Sequence, residues 1–149
     1  MGASVAYIPE EQVLFGGDLF IAKPVNFGLP FMGFYQNRPK RDGNPEEYLA
    51  AYKKFLEWGV ETIVPGHGHV VQEAPSYIKE QIRFFKDLRS FVKSEISDGK
   101  PVEEIELPRL DPIQQAYDDV DSRKKRGAAL RWLNHYVDVL KTSFYNHYS

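Results

Sequence analysis

SVAYIPEEQVLFGGDLF, residues 4–20, and TIVPGHGHV, residues 62–70, are the stretches whose reading decides the fold. In each, an apolar run with β-branched or aromatic character ends in glycine and then places one side chain able to bind a metal, Asp18 in the first and His67 in the second. Glycine beside such a side chain lets the backbone turn sharply and lets another group approach closely. The two stretches are therefore expected to bring Asp18 and His67 together, each at the carboxyl end of its strand.

The rest of the chain is read outward from these runs. Residues 4–9 and 12–16 form a hairpin across the Pro9-Glu10-Glu11 turn. Residues 19–44 read as a long loop whose rings Phe27, Phe31, Phe34 and Tyr35 fill a crevice. Asn44-Pro45-Glu46-Glu47 is a helix start, with a side-chain cap, proline at the first helical position and a carboxylate three residues after the cap. Tyr48, Leu49, Tyr52, Phe55 and Leu56 share one face of that helix, Gly59 ends it, and a strand over 60–64 follows into the hairpin's sheet.

From 75 to 97, Ile78, Ile82, Phe85, Leu88, Val92 and Ile96 recur at helical spacing, and Asp98-Gly99 stops the helix. Residues 100–121 are acidic and proline-punctuated, and read as a solvated connection with one short turn at 102–105. Ser122 opens a last helix with a stripe of Leu130, Leu133, Val137, Leu140 and Phe144, widened by Trp132, Tyr136 and Val139. The expected organisation is α/β, with a sheet-and-helix portion over 1–74 that carries both glycine motifs and a helical portion of the same domain over 75–149.

VLFGGDLF and IVPGHGHV, in that order with Asp18 and His67 49 positions apart, resemble the C-terminal half of the metallo-β-lactamase-fold hydrolases, which include glyoxalase II-like enzymes. NRPKRDGNPEEYLAAYKKFLEWGVETIVPGHG resembles the stretch before that family's last histidine, and the likeness covers residues 4–71. The resemblance implies half of an αββα sandwich, a small mixed sheet flanked by helices, with a helical C-terminal extension. It implies a site of two zinc ions, iron or manganese being possible, in which Asp18 bridges the ions and His67 binds the second. The reaction implied is hydrolysis of an ester, thioester or amide-like bond in a small-molecule substrate, with Asp18 and His67 as the catalytic pair.

The family's HxHxDH motif has no counterpart here. The four histidines are His67, His69, His135 and His147, so nothing before Asp18 offers an imidazole. His69 stands in the same turn as His67 where the family has proline, and reads as a bystander. His135 and Asp138, spaced i and i+3 on the last helix, could chelate a metal but read first as a solvated helix face, and His147 is uninformative. A catalytic zinc site takes at least three protein ligands, so two predict weak metal binding and negligible hydrolysis by this chain alone. The missing donors are expected from a homodimer or from a separate chain carrying the N-terminal metal-binding half. The strands are apolar on both faces, which also predicts a dimer or heteromer. From a different class, the chain reads as a non-catalytic structural or interaction domain that keeps the fold and acts as a homodimer.

Composition narrows the alternatives. A chain of 149 residues with net charge −2 lacks the basic stripe of a nucleic-acid surface, apart from Arg123-Lys124-Lys125-Arg126. The absence of cysteine removes disulfides and thiolate metal sites together and suits a cytoplasmic protein. No apolar run has the length of a membrane span, and the N-terminus has no signal-peptide pattern. Met1-Gly2-Ala3 leads almost directly into a strand, which hints at a missing preceding half. No nucleophile elbow, phosphate-binding glycine loop or dinucleotide fingerprint is found.

Overall fold

The structure is a computed structural model and describes residues 4–23, 29–30, 44–121 and 126–149. The rings expected to fill a crevice, Phe27, Phe31, Phe34 and Tyr35, lie outside the described residues, as do Ser122 and most of the basic run after it. Among the described residues the fold is α/β, with a three-stranded mixed sheet and four α-helices. The chain divides into two compact units, one of Met1–Phe31 with Glu46–Arg83 and one of Met32–Pro45 with Phe84–Ser149.

In the first unit, β1 (Ala6–Ile8) and β2 (Val13–Ile21) form the expected antiparallel hairpin, and β3 (Thr62–His67) lies parallel to β2 on its other side. The partners Ala6, Phe15 and Val64 form one cross-strand row, and Ile8, Val13 and Thr62 form the next. Leu14 and Ile63 point the other way and are fully buried. On the face shared by the two rows Ala6, Ile8 and Phe15 are exposed, Phe15 at 44% and Ile8 at 41%, while Val13, Thr62 and Val64 are half-buried. Past β3 the chain folds back: Ile63 and Val71 exchange both N–H···O=C bonds at 2.9 Å, closing the turn that follows His67.

The sequence reading ends the second strand at Gly16, with Asp18 beyond it; in the structure β2 runs on to Ile21, and Asp18 sits inside it. The glycines irregularise the strand without ending it. The β2–β3 register shifts between Phe15 and Gly17 and again between Gly17 and Ile21, with Gly17 at φ +49°. An extra residue on one strand bends that strand and re-aims the side chains around it. The third strand likewise starts and ends later than the expected 60–64.

Helix α1 (Pro45–Glu57) buries Leu49, Tyr52 and Phe55, while Tyr48 and Leu56 on the same expected face are half-buried. It ends in a Schellman motif: the Val60 N–H donates to the Phe55 carbonyl at 3.3 Å, the Gly59 N–H donates to the Leu56 carbonyl at 3.1 Å, and Gly59 takes φ +71°. This turn sends the chain directly into β3. The Phe20 ring packs against Tyr52 and Phe55, with ring centroids 5.3 and 5.8 Å away, and so ties α1 to β2. Gly16 makes room for that ring, because a Cβ there would lie 2.3 Å from Phe20.

Helix α2 (Ala74–Ser97) carries the expected apolar stripe, with Ile78, Ile82, Phe85, Leu88 and Val92 buried, and the division between the units falls within it. The second unit holds the later part of α2, a 3-10 turn (Val102–Glu104), α3 (Asp111–Asp121) and α4 (Arg126–Tyr148). Helix α3 corrects the reading of 100–121 as a solvated connection. Ile113, Ala116 and Val120 recur at helical spacing, are buried, and belong to a helix that packs on α4. On α4, Leu133, Tyr136, Leu140 and Phe144 are buried as expected, and Phe144 meets Phe85 at 5.5 Å between ring centroids. Trp132 does not widen that stripe: it is 48% exposed, beside the His135 ring.

Candidate functional site

Adjacent parallel strands position the two predicted side chains. Asp18 lies within the second register shift of β2, His67 is the last residue of β3, and the His67 Nε2 lies 3.5 Å from the Asp18 Oδ1. Both side chains are more than half exposed, at 67% for Asp18 and 59% for His67, so the pair opens to solvent. The two residues 49 positions apart in sequence are thus brought together, with His67 at its strand end and Asp18 within its strand.

The glycines of the second motif make this approach possible by lacking a side chain. A Cβ on Gly66 would lie 2.6 Å from the Asp18 Oδ1 and 2.8 Å from the Gly17 carbonyl carbon. A Cβ on Gly68 would lie 2.1 Å from the Ala22 carbonyl oxygen, and Gly68 itself stands at φ +97°. Close contact here is backbone on backbone. The Ala22 N–H donates to the His67 carbonyl at 2.9 Å, and the His69 N–H donates to the Lys23 carbonyl at 3.0 Å. The ends of β2 and β3 are therefore bonded together on the far side of the pair.

Three tyrosines border the site, and the sequence reading of their helices assigns them no role there. Burial, and after it the negative charge of Asp18, pushes the Tyr48 phenol up to about 12, which places Tyr48 within the field of that carboxylate as a neutral hydroxyl. Tyr52, one helical turn on, donates its hydroxyl to the Leu19 carbonyl at 3.3 Å, and Tyr77 donates to the Ile21 carbonyl at 3.4 Å. The Tyr77 phenol is likewise pushed up to about 12, by burial first and by Glu80 second. The signal was present in the sequence: Tyr48 and Tyr52 stand i and i+4 on the face of α1 expected to meet the sheet.

The other candidates lie elsewhere. His69 is exposed in the turn after His67. In the second unit, the Asp138 carboxylate pairs with Lys141 at 2.9 Å, and the His135 ring lies beside Trp132. His147 packs edge-on against Tyr148. Among the described residues, no group of three or more His, Cys, Asp or Glu side chains is placed to hold a metal ion. Asp18 and His67 offer one carboxylate and one imidazole, a donor set suited to zinc but short of the three protein ligands of a catalytic site. Compared with known proteins, the chain matches no family model and no curated sequence.

Proposed function

We propose that this chain is the C-terminal portion of a metallo-β-lactamase-like hydrolase and contributes Asp18 and His67 to a metal site completed by donors from another chain or segment. The observation that carries this reading is the approach of the two side chains to 3.5 Å across adjacent strands, at a place where two glycines admit backbone and carboxylate contacts that any Cβ would block. The ion's contribution in such a site is Lewis acidity toward a bound water or carbonyl. Two donors do not fix that site, so the chain's own part is to present a carboxylate and an imidazole on a braced pair of strands. The class of substrate is a small ester, thioester or amide.

The test is metal binding by the chain as it stands. Zinc titration of the metal-free protein is expected to show weak binding, lost by about tenfold or more in Asp18→Ala and in His67→Ala. Unchanged affinity in both variants would remove the pair from any metal site. Hydrolysis of ester or lactam substrates is expected to be negligible, and chelator-sensitive turnover lost in Asp18→Ala would show that further ligands are available.

The open sheet face favours a second reading, that of an assembly domain. Outward positions of a solvated sheet are normally polar, whereas here five of the six, Ala6, Ile8, Val13, Phe15 and Val64, are apolar and only Thr62 is polar. On this reading the face is covered by a second copy or by a separate chain. Light scattering would then give at least twice the mass of one chain or, for a foreign partner, a monomer that Phe15→Lys makes more soluble. A monomer whose solubility Phe15→Lys leaves unchanged would count against a covered face. No helix among the described residues is long and apolar enough to cross a membrane.

A further inference from the structure

We propose that Tyr52 and Tyr77 are positioning residues that set Asp18 against His67 by holding β2 where β1 no longer does. Strand β1 pairs only with Val13, Leu14 and Phe15, whereas β2 continues to Ile21. Among the described residues, the β1-side edge of β2 has no strand beside it past Phe15, although the Ser4 carbonyl approaches Gly17 and β3 remains on the other edge through the Ile21–His67 pairing. Leu19 and Ile21 stand two residues apart at the second register shift, and each carbonyl accepts from a tyrosine hydroxyl, Tyr52 from α1 and Tyr77 from α2.

A buried carbonyl without a donor is costly, and a strand interrupted by a register shift is free to move unless something fixes it. At 3.3 and 3.4 Å the two bonds are long, and their rings supply the rest of the hold. The Phe20 side chain, between the two bonded carbonyls, packs against both tyrosines, with ring centroids 5.3 Å from Tyr52 and 6.2 Å from Tyr77. The strand segment immediately after Asp18 is thereby held by two helices at once, and with it the angle from which the carboxylate meets His67.

The inference draws on the proposed metal site only for one of its two readouts. Tyr52→Phe and Tyr77→Phe remove one oxygen each and keep the rings. Tyr7→Phe is the control, since the Tyr7 hydroxyl donates to the Trp58 carbonyl at 2.6 Å in the same unit, away from Asp18. Zinc affinity is expected to fall by about tenfold in the Tyr52 and Tyr77 variants and to hold in the Tyr7 variant, whatever the three do to the melting temperature.

The second readout needs no metal: at fixed pH, Asp18→Asn is expected to change the nitrogen chemical shift of His67 Nε2, which lies 3.5 Å from the carboxylate. That change is expected to shrink by half or more when Tyr52 or Tyr77 is already Phe, and to persist when Tyr7 is. If the wild-type chain binds no zinc, the metal site falls and the chemical-shift measurement alone decides the positioning role. An undiminished Asp18→Asn effect in the Tyr52 and Tyr77 variants, with stability losses like that of Tyr7→Phe, would overturn it.

Discussion

Replacing Gly68 by alanine is expected to destabilise the first unit by about 3 kcal/mol or more, a loss measured as a lowered urea midpoint with an unchanged slope. Two costs add at this position. The backbone stands at φ +97°, which an L side chain rarely adopts, and the new Cβ would lie 2.1 Å from the Ala22 carbonyl oxygen. That oxygen belongs to backbone already bonded through the Ala22 N–H to the His67 carbonyl, so no flexible side chain can yield in its place. Relief requires the ends of β2 and β3 to part, which also separates Asp18 from His67. Gly99→Ala is the matched control: its φ is +77°, but a Cβ there meets nothing within 4 Å. It carries the conformational cost alone, about 1 kcal/mol. Equal losses in the two variants would show that the β2–β3 contact is softer than its geometry implies.

The second large effect is a loss of stability in alkali. Tyr48 and Tyr77 are each raised to about 12 in the fold, against an ordinary phenol near 10. Below pH 10 both phenols are neutral in folded and unfolded chains alike, and the stability of the neutral fold is fully present. Above it the unfolded chain releases these protons while the folded chain keeps them, so the folded state binds more protons and stability falls as pH rises toward 12. A shift of this size corresponds to about 2 to 3 kcal/mol for each tyrosine at the top of that window. Urea unfolding measured from pH 9 to 12 is expected to show the decline, and Tyr48→Phe and Tyr77→Phe should each remove about half of the part these two groups cause. The Asp18→Asn variant should soften the Tyr48 portion, because Asp18 is the second cause of its shift. A decline identical in wild type and both Phe variants would assign it to other groups.

Much of the first unit was legible because its signals are local. Asn44-Pro45 and Gly59 bound α1, the glycine motifs mark where β2 and β3 approach, and the hairpin turn precedes β2. The place of Asp18 was misjudged because two adjacent glycines read equally well as a strand end and as an irregularity within a strand. Which applies depends on whether a neighbouring strand continues alongside, and β3 does. Helix α3 was hidden by composition. Asp111, Pro112, Asp118, Asp119 and Asp121 outweigh a stripe of only Ile113, Ala116 and Val120, whose burial depends on α4. The tyrosine hydroxyls at Leu19 and Ile21 were not legible, since they join helices to a strand 33 and 56 positions away in sequence, and no local pattern marks such a bond.

The reciprocal bonds between Ile63 and Val71 turn the segment carrying His67 into a loop fastened at its base. A loop fastened in this way opens as one cooperative event, because freeing the His67 segment from the sheet breaks the two base bonds together with those of Ala22 to His67 and His69 to Lys23. The amide protons of Ile63 and Val71, each corrected for its own intrinsic rate of exchange with solvent deuterium, should then report one common opening free energy. That free energy measures the opening of the His67 turn, readable in the protein at rest with nothing bound.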